Sequence, residues 1–95
     1  MEDRIKIIQE KIIPFLREAG VLKSAIFGSV ARDEADSASD VDILVELPED
    51  KTMLDLIDLE EKLESALGKK VDVVTYRSLH HLLRDRILRE QVKIL

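Results

Sequence analysis

The stretch FGSVARDEADSASDVDILVEL, residues 27–47, joins two apolar segments through a run of acids and serines. The first segment ends in Gly28-Ser29, and the second is entered through Asp40 and Asp42. Side chains two residues apart on a strand point to the same side of it, so these two carboxylates are brought together. Because like charges repel and resist burial, the stretch predicts a compensating ligand where the strands begin.

Helical and extended patterns alternate on both sides of this stretch. We predict helices at residues 2–19, 29–35, 52–67 and after Ser78, strands at 21–27, 41–47 and 69–76, and a loop at 36–39. Pro14 is expected to kink or split the first helix, because it removes a backbone hydrogen bond. The alternation predicts an α/β protein of one domain, residues 1–95, with a small mixed β-sheet whose helices pack mainly on one face.

Residues that favour helix ends support these limits. Ser29, Thr52 and Ser78 could each cap the helix that follows, and Gly68 is suited to end the third helix. Residues 92–95 form a short apolar tail. The tail either packs against the sheet edge and the first helix or contributes, with the last helix, to an interface.

The composition excludes several classes of protein. A chain of 95 residues, 45% apolar and 37% charged, is typical of one globular domain. The net charge of -5 and the three aromatic residues argue against direct nucleic-acid binding, which favours basic surfaces and stacking rings. The absence of cysteine excludes disulfides and thiolate zinc sites. No signal peptide or membrane-spanning run is evident, so we expect a cytoplasmic protein without membrane contact.

A third aspartate lies in a strand that is otherwise fit for burial. Asp72 interrupts the apolar run 71–74, and aspartate is depleted in strands. If its strand neighbours the strand of Asp40 and Asp42, the three carboxylates converge. An all-oxygen cluster suits Mg²⁺ or Mn²⁺, which would compensate the repulsion. The alternative is three solvent-facing acids, each paired with a lysine or arginine.

The Gly28-Ser29 pair supplies a complementary feature. Glycine lets the backbone approach a ligand closely, and a serine hydroxyl can donate to a phosphate oxygen. Taken alone, a glycine and a serine after a strand more often form a plain turn. Together with the aspartates they indicate a phosphate cradle facing a metal site, as phosphoryl or nucleotidyl transfer requires.

These residues also resemble a known family. Gly28-Ser29, ten intervening residues and the Asp40–Asp42 segment match the GS-x10-DxD signature of the minimal nucleotidyltransferases (MNT), a branch of the DNA polymerase β-like superfamily. The third acid, Asp72, falls where that family places it. The likeness covers nearly the whole chain, and it implies the polymerase β-like nucleotidyltransferase fold.

The resemblance implies roles for the predicted site residues. A nucleotide triphosphate, ATP, would bind with its β- and γ-phosphates against Gly28 and Ser29. Asp40 and Asp42 would hold two divalent ions, Mg²⁺ or Mn²⁺, and Asp72 would complete the metal site. Asp72 would also help to deprotonate an acceptor hydroxyl, which attacks the α-phosphorus while pyrophosphate leaves.

Two further features allow more than one interpretation. Arg32 follows Ser29 by one helical turn, so it could contact a nucleotide phosphate or brace the loop. It could equally pair with an acid: Asp33, Asp36 or another carboxylate. The pair His80-His81 suggests a metal ligand, but adjacent histidines diverge on a helix, and a solvated helix face is favoured.

The resemblance also implies a partner, because the recognised module contains no segment that would hold the acceptor. A HEPN-domain protein typically accompanies MNT proteins of this size, as toxin to their antitoxin, although a second copy of the chain could also supply contacts. Several such antitoxins resemble protein adenylyltransferases that modify a tyrosine hydroxyl of the HEPN ribonuclease. Two alternatives stay open: transfer to a small hydroxylated molecule held by a separate subunit, and neutralisation of the toxin by binding alone.

Overall fold

A computed structural model describes residues 4–36 and 39–95. Helices and strands alternate through these residues, as the sequence predicts. In chain order they are α1 (Arg4–Glu18), β1 (Lys23–Phe27), α2 (Gly28–Ala31), β2 (Val41–Glu46), α3 (Met53–Leu67), β3 (Val71–Thr75), a 3-10 turn (Tyr76–Ser78), α4 (His81–Glu90) and β4 (Val92–Lys93). Two residues of the predicted loop 36–39, at positions 37 and 38, lie outside the described residues.

The strands form one mixed sheet in the order β3-β2-β1-β4. β1 is antiparallel to both β2 and β4, whereas β2 and β3 are parallel. The end of β1 therefore lies beside the beginnings of β2 and β3. In this register Asp42 is paired with Phe27 on one side and with Asp72 on the other. The predicted α/β class and mixed sheet are confirmed.

The two long helices cover one face of the sheet. Ile12 and Leu16 of α1 and Leu59 and Leu63 of α3 are almost completely buried there. They pack against apolar side chains that alternate along the strands: Ile26, Ile43, Val45, Val71 and Val73. Burial of each such side chain contributes about 1.5–3 kcal/mol, so this face is the main core of the domain.

The opposite face is only partly covered. Ala25, Leu44 and Tyr76 form a smaller cluster, against which Ile87 and Leu88 of α4 pack. Because side chains alternate along a strand, Asp42 and Asp72 share this face with Leu44. The sheet therefore presents its acidic residues on the side that the long helices leave free.

The ends of α3 agree with the sequence. Thr52 Oγ1 accepts a hydrogen bond from the Asp55 amide N–H, and the Asp55 carboxylate accepts one from the Thr52 amide N–H. This reciprocal pair is a capping box. Gly68 ends the helix in the left-handed conformation, with φ 67°. Both ends are set by neighbouring residues, so local sequence is sufficient to predict them.

Helix α1 corrects one prediction, because it continues across Pro14 and is not split. Ile12 and Leu16, on either side of the proline, are both fully buried. Pro14 itself is exposed, so the missing hydrogen bond falls on the solvent side of the helix. Packing of the buried face compensates for the loss of that bond.

Two predicted helix starts are also wrong. Ser29 is the second residue of α2, which begins at Gly28 and ends at Ala31, well before residue 35. Ser78 lies in the 3-10 turn, where its hydroxyl donates to the Thr75 carbonyl. Helix α4 is instead capped by His80, whose Nδ1 accepts from the Leu82 amide at 3.2 Å.

The carboxyl-terminal residues pack on the sheet. Val92 and Lys93 pair with β1, and Ile94 is buried in the main core. The Gln9 side chain, from α1, donates to the Ile94 carbonyl at 3.1 Å. The tail therefore packs against the sheet edge and the first helix, whereas Leu82 and Leu83 of the last helix are exposed, so an interface there stays a prediction.

Candidate active site

The turn between β1 and α2 places backbone directly against an aspartate. Gly28 has φ 72°, a left-handed conformation that side chains rarely adopt. A Cβ atom at this position would lie 3.1 Å from Cγ of Asp42 and closer still to its carboxylate oxygen. Glycine is therefore favoured here for two reasons: the left-handed backbone angle and the Asp42 carboxylate that occupies the space of a side chain.

Asp42 and Asp72 form the centre of the site. They are paired residues on adjacent parallel strands, about 4.8 Å apart in backbone position, and both are partly buried. Burial raises the pKa of Asp42, and the charges of Asp72 and Asp40 and a hydrogen bond to Asp72 raise it further. The positive charge of Arg32 lowers the pKa of Asp42. The predicted convergence of two strand aspartates is thus observed.

Asp40 lies at the margin of this pair. It precedes β2 and is exposed, and it acts on Asp42 through its charge. Within residues 4–36 and 39–95, no three carboxylate or imidazole groups stand close enough together to hold a metal ion. The side chains as they stand therefore bring two of the three predicted ligands together, and the complete three-carboxylate metal set stays a prediction.

The chemistry of the paired donors nevertheless fits a divalent cation. Asp42 and Asp72 offer carboxylate oxygens only, which are the ligands that Mg²⁺ and Mn²⁺ prefer. Their mutual repulsion is the kind of strain that a bound cation relieves. Asp40 lies two residues before Asp42, just ahead of β2, and its part in a metal site stays a prediction.

Ser29 lies where the sequence predicts a phosphate ligand. It follows Gly28 in the first turn of α2, and the backbone N–H groups of a first helical turn have no partner within the helix. The side chain is partly exposed. Its hydroxyl makes no hydrogen bond to any part of the chain that the structure describes. Ser29 can therefore donate to an anionic ligand at this turn.

Arg32 is engaged by two glutamates. Its Nε donates to Glu34 at 3.0 Å, and its Nη1 donates to Glu90 of α4 at 3.4 Å. The glutamates raise the pKa of Arg32, mainly through the Glu34 hydrogen bond. The predicted pairing with a nearby acid is thus observed, although the partners are not Asp33. Glu90 was missed by sequence reasoning, because no local pattern connects residues that are 58 positions apart.

The histidine pair lies away from the site. The rings of His80 and His81 stack with centroids 4.6 Å apart at the start of α4. Since His80 caps the helix, its position has a structural explanation and needs no metal.

One cavity lies at the other end of the strands from the aspartates. It measures about 380 Å³ and lies where β2 and β3 end, between Leu22, Pro48, Thr52 and Arg77. Glu46, which lines this cavity, lies four residues after Asp42 on β2, so about 13 Å of sheet lies between them. The aspartates thus lie outside this cavity, near the beginnings of β2 and β3. No helix within residues 4–36 and 39–95 has the length and apolar character needed to cross a membrane.

Comparison with known sequences agrees with this geometry. The family model described as "Nucleotidyltransferase domain" matches residues 9–94. A protein of Methanocaldococcus jannaschii, named as a candidate protein adenylyltransferase, is 56% identical over 88 residues, which cover 93% of this chain and 95% of that protein. The protein adenylyltransferase MntA of Thermococcus cleftensis is 46% identical over 80 residues, covering 83% of this chain and 81% of the relative.

Solved structures share the fold. A candidate minimal nucleotidyltransferase matches with a TM-score of 0.80 and 39% identity, covering 92% of this chain and 89% of the other. A toxin–antitoxin structure with AMP-PNP matches with a TM-score of 0.80 and 28% identity, covering 92% of this chain and 72% of the other.

A third structure is a tri-AMPylated Shewanella oneidensis HEPN toxin in complex with an MNT antitoxin. It matches with a TM-score of 0.74 and 26% identity, covering 95% of this chain and 71% of the other. The signature at Gly28-Ser29 and Asp40–Asp42, the pairing of Asp42 with Asp72 and the match over residues 9–94 lead to one conclusion. This chain belongs to the nucleotidyltransferase domain family.

Proposed function

We propose that this protein is a protein adenylyltransferase that transfers AMP from ATP to a tyrosine hydroxyl of a cognate HEPN ribonuclease toxin. It would thereby act as the antitoxin of the pair. The observation that carries the proposal is the Asp42–Asp72 pair on adjacent parallel strands, directly beside the Gly28 turn. That arrangement puts carboxylate oxygens next to a backbone that can bind phosphate, as nucleotidyl transfer needs.

The relatives support the choice of acceptor. Proteins that share 46–56% of their residues with this chain are named for protein adenylylation. Structural neighbours at 26–28% identity contain an AMP-PNP nucleotide or an AMPylated HEPN toxin. The binding of a nucleotide triphosphate and the modification of a HEPN protein are therefore the inferences that these similarities favour. The cytoplasmic location expected from the sequence stays a prediction.

Asp40, Asp42 and Asp72 are the residues that would hold divalent metal, Mg²⁺ or Mn²⁺. When bound, the metal would neutralise phosphate charge and stabilise the attacking and leaving oxygens. Because Asp42 is partly buried and is repelled by the charges of Asp72 and Asp40, it is the group whose charge most needs a cation.

The remaining chain positions the reactants. Gly28 and Ser29 would hold the triphosphate, through backbone N–H groups and the serine hydroxyl, with Arg32 at its side. The acceptor oxygen would attack the α-phosphorus, and the bond from that phosphorus to the β-phosphate bridging oxygen would break. Pyrophosphate would leave with the bonding electrons, and Asp72 would take the proton from the acceptor hydroxyl.

The acceptor would approach from the sheet face opposite α1 and α3, since Asp42 and Asp72 are displayed there. Holding its hydroxyl in line with the α-phosphorus accounts for much of a transfer enzyme's rate. A partner protein bound on this face would supply that positioning.

Co-expression with a HEPN-domain protein from the same genome tests the proposal. Mass spectrometry of the purified partner should show added AMP on a tyrosine, and none when the enzyme carries both Asp40→Asn and Asp42→Asn. An unmodified partner, together with efficient labelling of a small hydroxylated molecule, would support transfer to a small acceptor. A toxin that is bound and silenced without any added AMP would support inhibition by contact alone.

A further inference from the structure

A chain of charged side chains connects helix α4 to the Gly28 turn. Glu90 lies at the end of α4, and its two carboxylate oxygens contact different arginines. Oε2 accepts from Nη1 of Arg32 at 3.4 Å, and Oε1 accepts from Nε of Arg86 at 3.2 Å. The carboxylate is thereby oriented from within its own helix while it contacts a residue beside the active site.

The position of Arg32 makes this contact relevant to the site. Arg32 follows the first helical turn after Gly28 and Ser29, and its backbone N–H donates to the Gly28 carbonyl at 3.1 Å. Its guanidinium group is a rigid planar fork, so two anchored nitrogens determine where the others point. Nη2 has no partner in residues 4–36 and 39–95, and its N–H groups are therefore available to a ligand.

The two glutamates that contact Arg32 differ in how far they can restrict its position. Glu34 is two residues away, is 63% exposed and moves with the same turn. Glu90 comes from another element and is 31% exposed, similar to the 32% of the Arg32 side chain. A contact between separate elements restricts the arginine relative to the sheet, whereas a contact within one turn does not.

We propose that Glu90 is a positioning residue for the nucleotide: it holds Arg32 beside the Gly28 turn, so that the free N–H groups of the guanidinium meet the triphosphate. This inference rests on the proposed function, since it assigns a role within the same nucleotide site. It also makes α4 part of the active site's support.

The size of the effect follows from exposure. Ion pairs that are open to solvent are weak, so loss of Glu90 should weaken nucleotide binding only about threefold to fivefold. Replacement of Arg32 itself should weaken nucleotide binding more than loss of Glu90, because its charge-assisted hydrogen bond to the phosphate is then lost.

A double-mutant cycle tests the inference. The affinity of the purified protein for AMP-PNP with Mg²⁺ is measured for wild type, Glu90→Gln, Arg32→Gln and the double variant. We expect Glu90→Gln to weaken binding in the wild-type background and to have no further effect in the Arg32→Gln background. With the protein acceptor present, the KM for ATP should rise while kcat changes less than KM. Glu90→Asp, which retains the charge, should recover part of the affinity.

Asp58→Asn is the matched control. Asp58 pairs with Lys62 at 3.1 Å on α3, four residues apart as Arg86 and Glu90 are on α4, and it lies far from the site. Its loss should leave AMP-PNP affinity unchanged. Thermal unfolding of each variant shows whether the fold is retained, and Glu90→Asp replaces Glu90→Gln if the latter does not fold.

Three outcomes overturn the inference. Equal affinity of wild type and Glu90→Gln would remove any role of Glu90 in nucleotide binding. Equal weakening by Glu90→Gln with and without Arg32 would show that Glu90 does not act through Arg32. Absence of AMP-PNP binding by the wild-type protein would instead refute the proposed function, and the inference with it.

Discussion

At the scale of single residues, the active site depends on a glycine and an aspartate that share one space. The carboxylate of Asp42 occupies the volume that a side chain at position 28 would fill. The same carboxylate faces Asp72 across the parallel pair of strands. Any change at Gly28 therefore alters the metal-binding group as well as the turn, so the GS and DxD halves of the signature depend on each other sterically.

Comparison of two glycines separates these effects. Gly28 and Gly68 have similar angles, φ 72° and φ 67°, but nothing lies within 4 Å of a Cβ at Gly68. Gly68→Ala should therefore cost only the left-handed strain of about 1–2 kcal/mol. Gly28→Ala should cost clearly more and should also abolish transfer activity. Chemical denaturation and an adenylylation assay check this, and equal losses of stability would show that Asp42 yields freely to the new methyl group.

The second prediction at this scale concerns pH. The ordinary pKa of Asp42, 3.8, is raised in the folded protein, mainly by burial and by the charge of Asp72. Stability associated with protonated Asp42 is therefore present at low pH and lost as pH rises through the folded-state pKa. Without divalent ions, Asp42→Asn should melt a few degrees higher than wild type at neutral pH, because it carries no charge there.

The difference in melting temperature should disappear below about pH 3, where Asp42 is protonated in both states. Melting curves in a chelator from about pH 2 to about pH 8 measure it. The same variant should lose transfer activity by orders of magnitude with saturating Mg²⁺. A variant that is less stable than wild type at pH 7 would show that the Asp42 charge is already compensated within the chain.

The third prediction concerns the serine hydroxyl of the turn. Ser29→Ala should weaken AMP-PNP binding by about 1–3 kcal/mol, the contribution of a hydrogen bond to a charged group. Ser78→Ala is the control, because the Ser78 hydroxyl bonds to the Thr75 carbonyl away from the site. Calorimetry measures the AMP-PNP affinity of both variants. Unchanged affinity of Ser29→Ala would place the phosphate elsewhere.

At the scale of elements, the predictable features are those that neighbouring residues determine. Thr52 and Gly68 form the ends of α3 through contacts within a few residues, and both were predicted from the sequence. The start of α4 was not, because Ser78 bonds to the preceding turn and leaves His80 to cap the helix. The continuity of α1 through Pro14 depends on packing against a sheet that local sequence does not reveal.

In the active site, too, some contacts could be predicted from the sequence and others could not. Convergence of Asp42 with Asp72 could be predicted, because two strand aspartates in apolar surroundings need a shared compensation. The partners of Arg32 could not, since Glu90 is brought to it only when α4 folds across the sheet. The carboxylate behind Gly28 was also hidden, because spacing in the signature does not give the approach of two side chains in space.

The next prediction concerns how much the capping residue Thr52 contributes to the free energy of unfolding. Thr52→Ala removes the side-chain half of the capping box, the bond that Thr52 Oγ1 accepts from the Asp55 amide, and keeps the bond from the residue 52 amide to the Asp55 carboxylate; it should lower stability by about 1 kcal/mol. Because Leu59 and Leu63 of the same helix are core residues, the loss should appear in global unfolding rather than in local fraying. Urea denaturation of Thr52→Ala measures this, with Ser78→Ala expected to differ little from wild type. A wild-type midpoint for Thr52→Ala would mean that packing alone sets the start of α3.

At the scale of the whole molecule, the two faces of the sheet have separate roles. The face under α1 and α3 contains most of the core, and the opposite face displays Asp42 and Asp72. Helix α4 covers only part of that second face, and its Leu82 and Leu83 remain 76% and 52% exposed. Stability and catalysis are thus assigned to different sides, so a catalytic residue can be replaced without opening the main core.

This separation allows catalysis to be distinguished from inhibition by contact. Asp42→Asn leaves the partner-accessible surface almost unchanged in shape, so it should still form a complex with the HEPN protein in size-exclusion chromatography. It should not restore growth to cells that express the toxin, because the transfer step is lost. Asp58→Asn, on the helical face, should both bind and restore growth. If Asp42→Asn binds and restores growth as well as wild type, contact is sufficient for neutralisation and AMP transfer is dispensable.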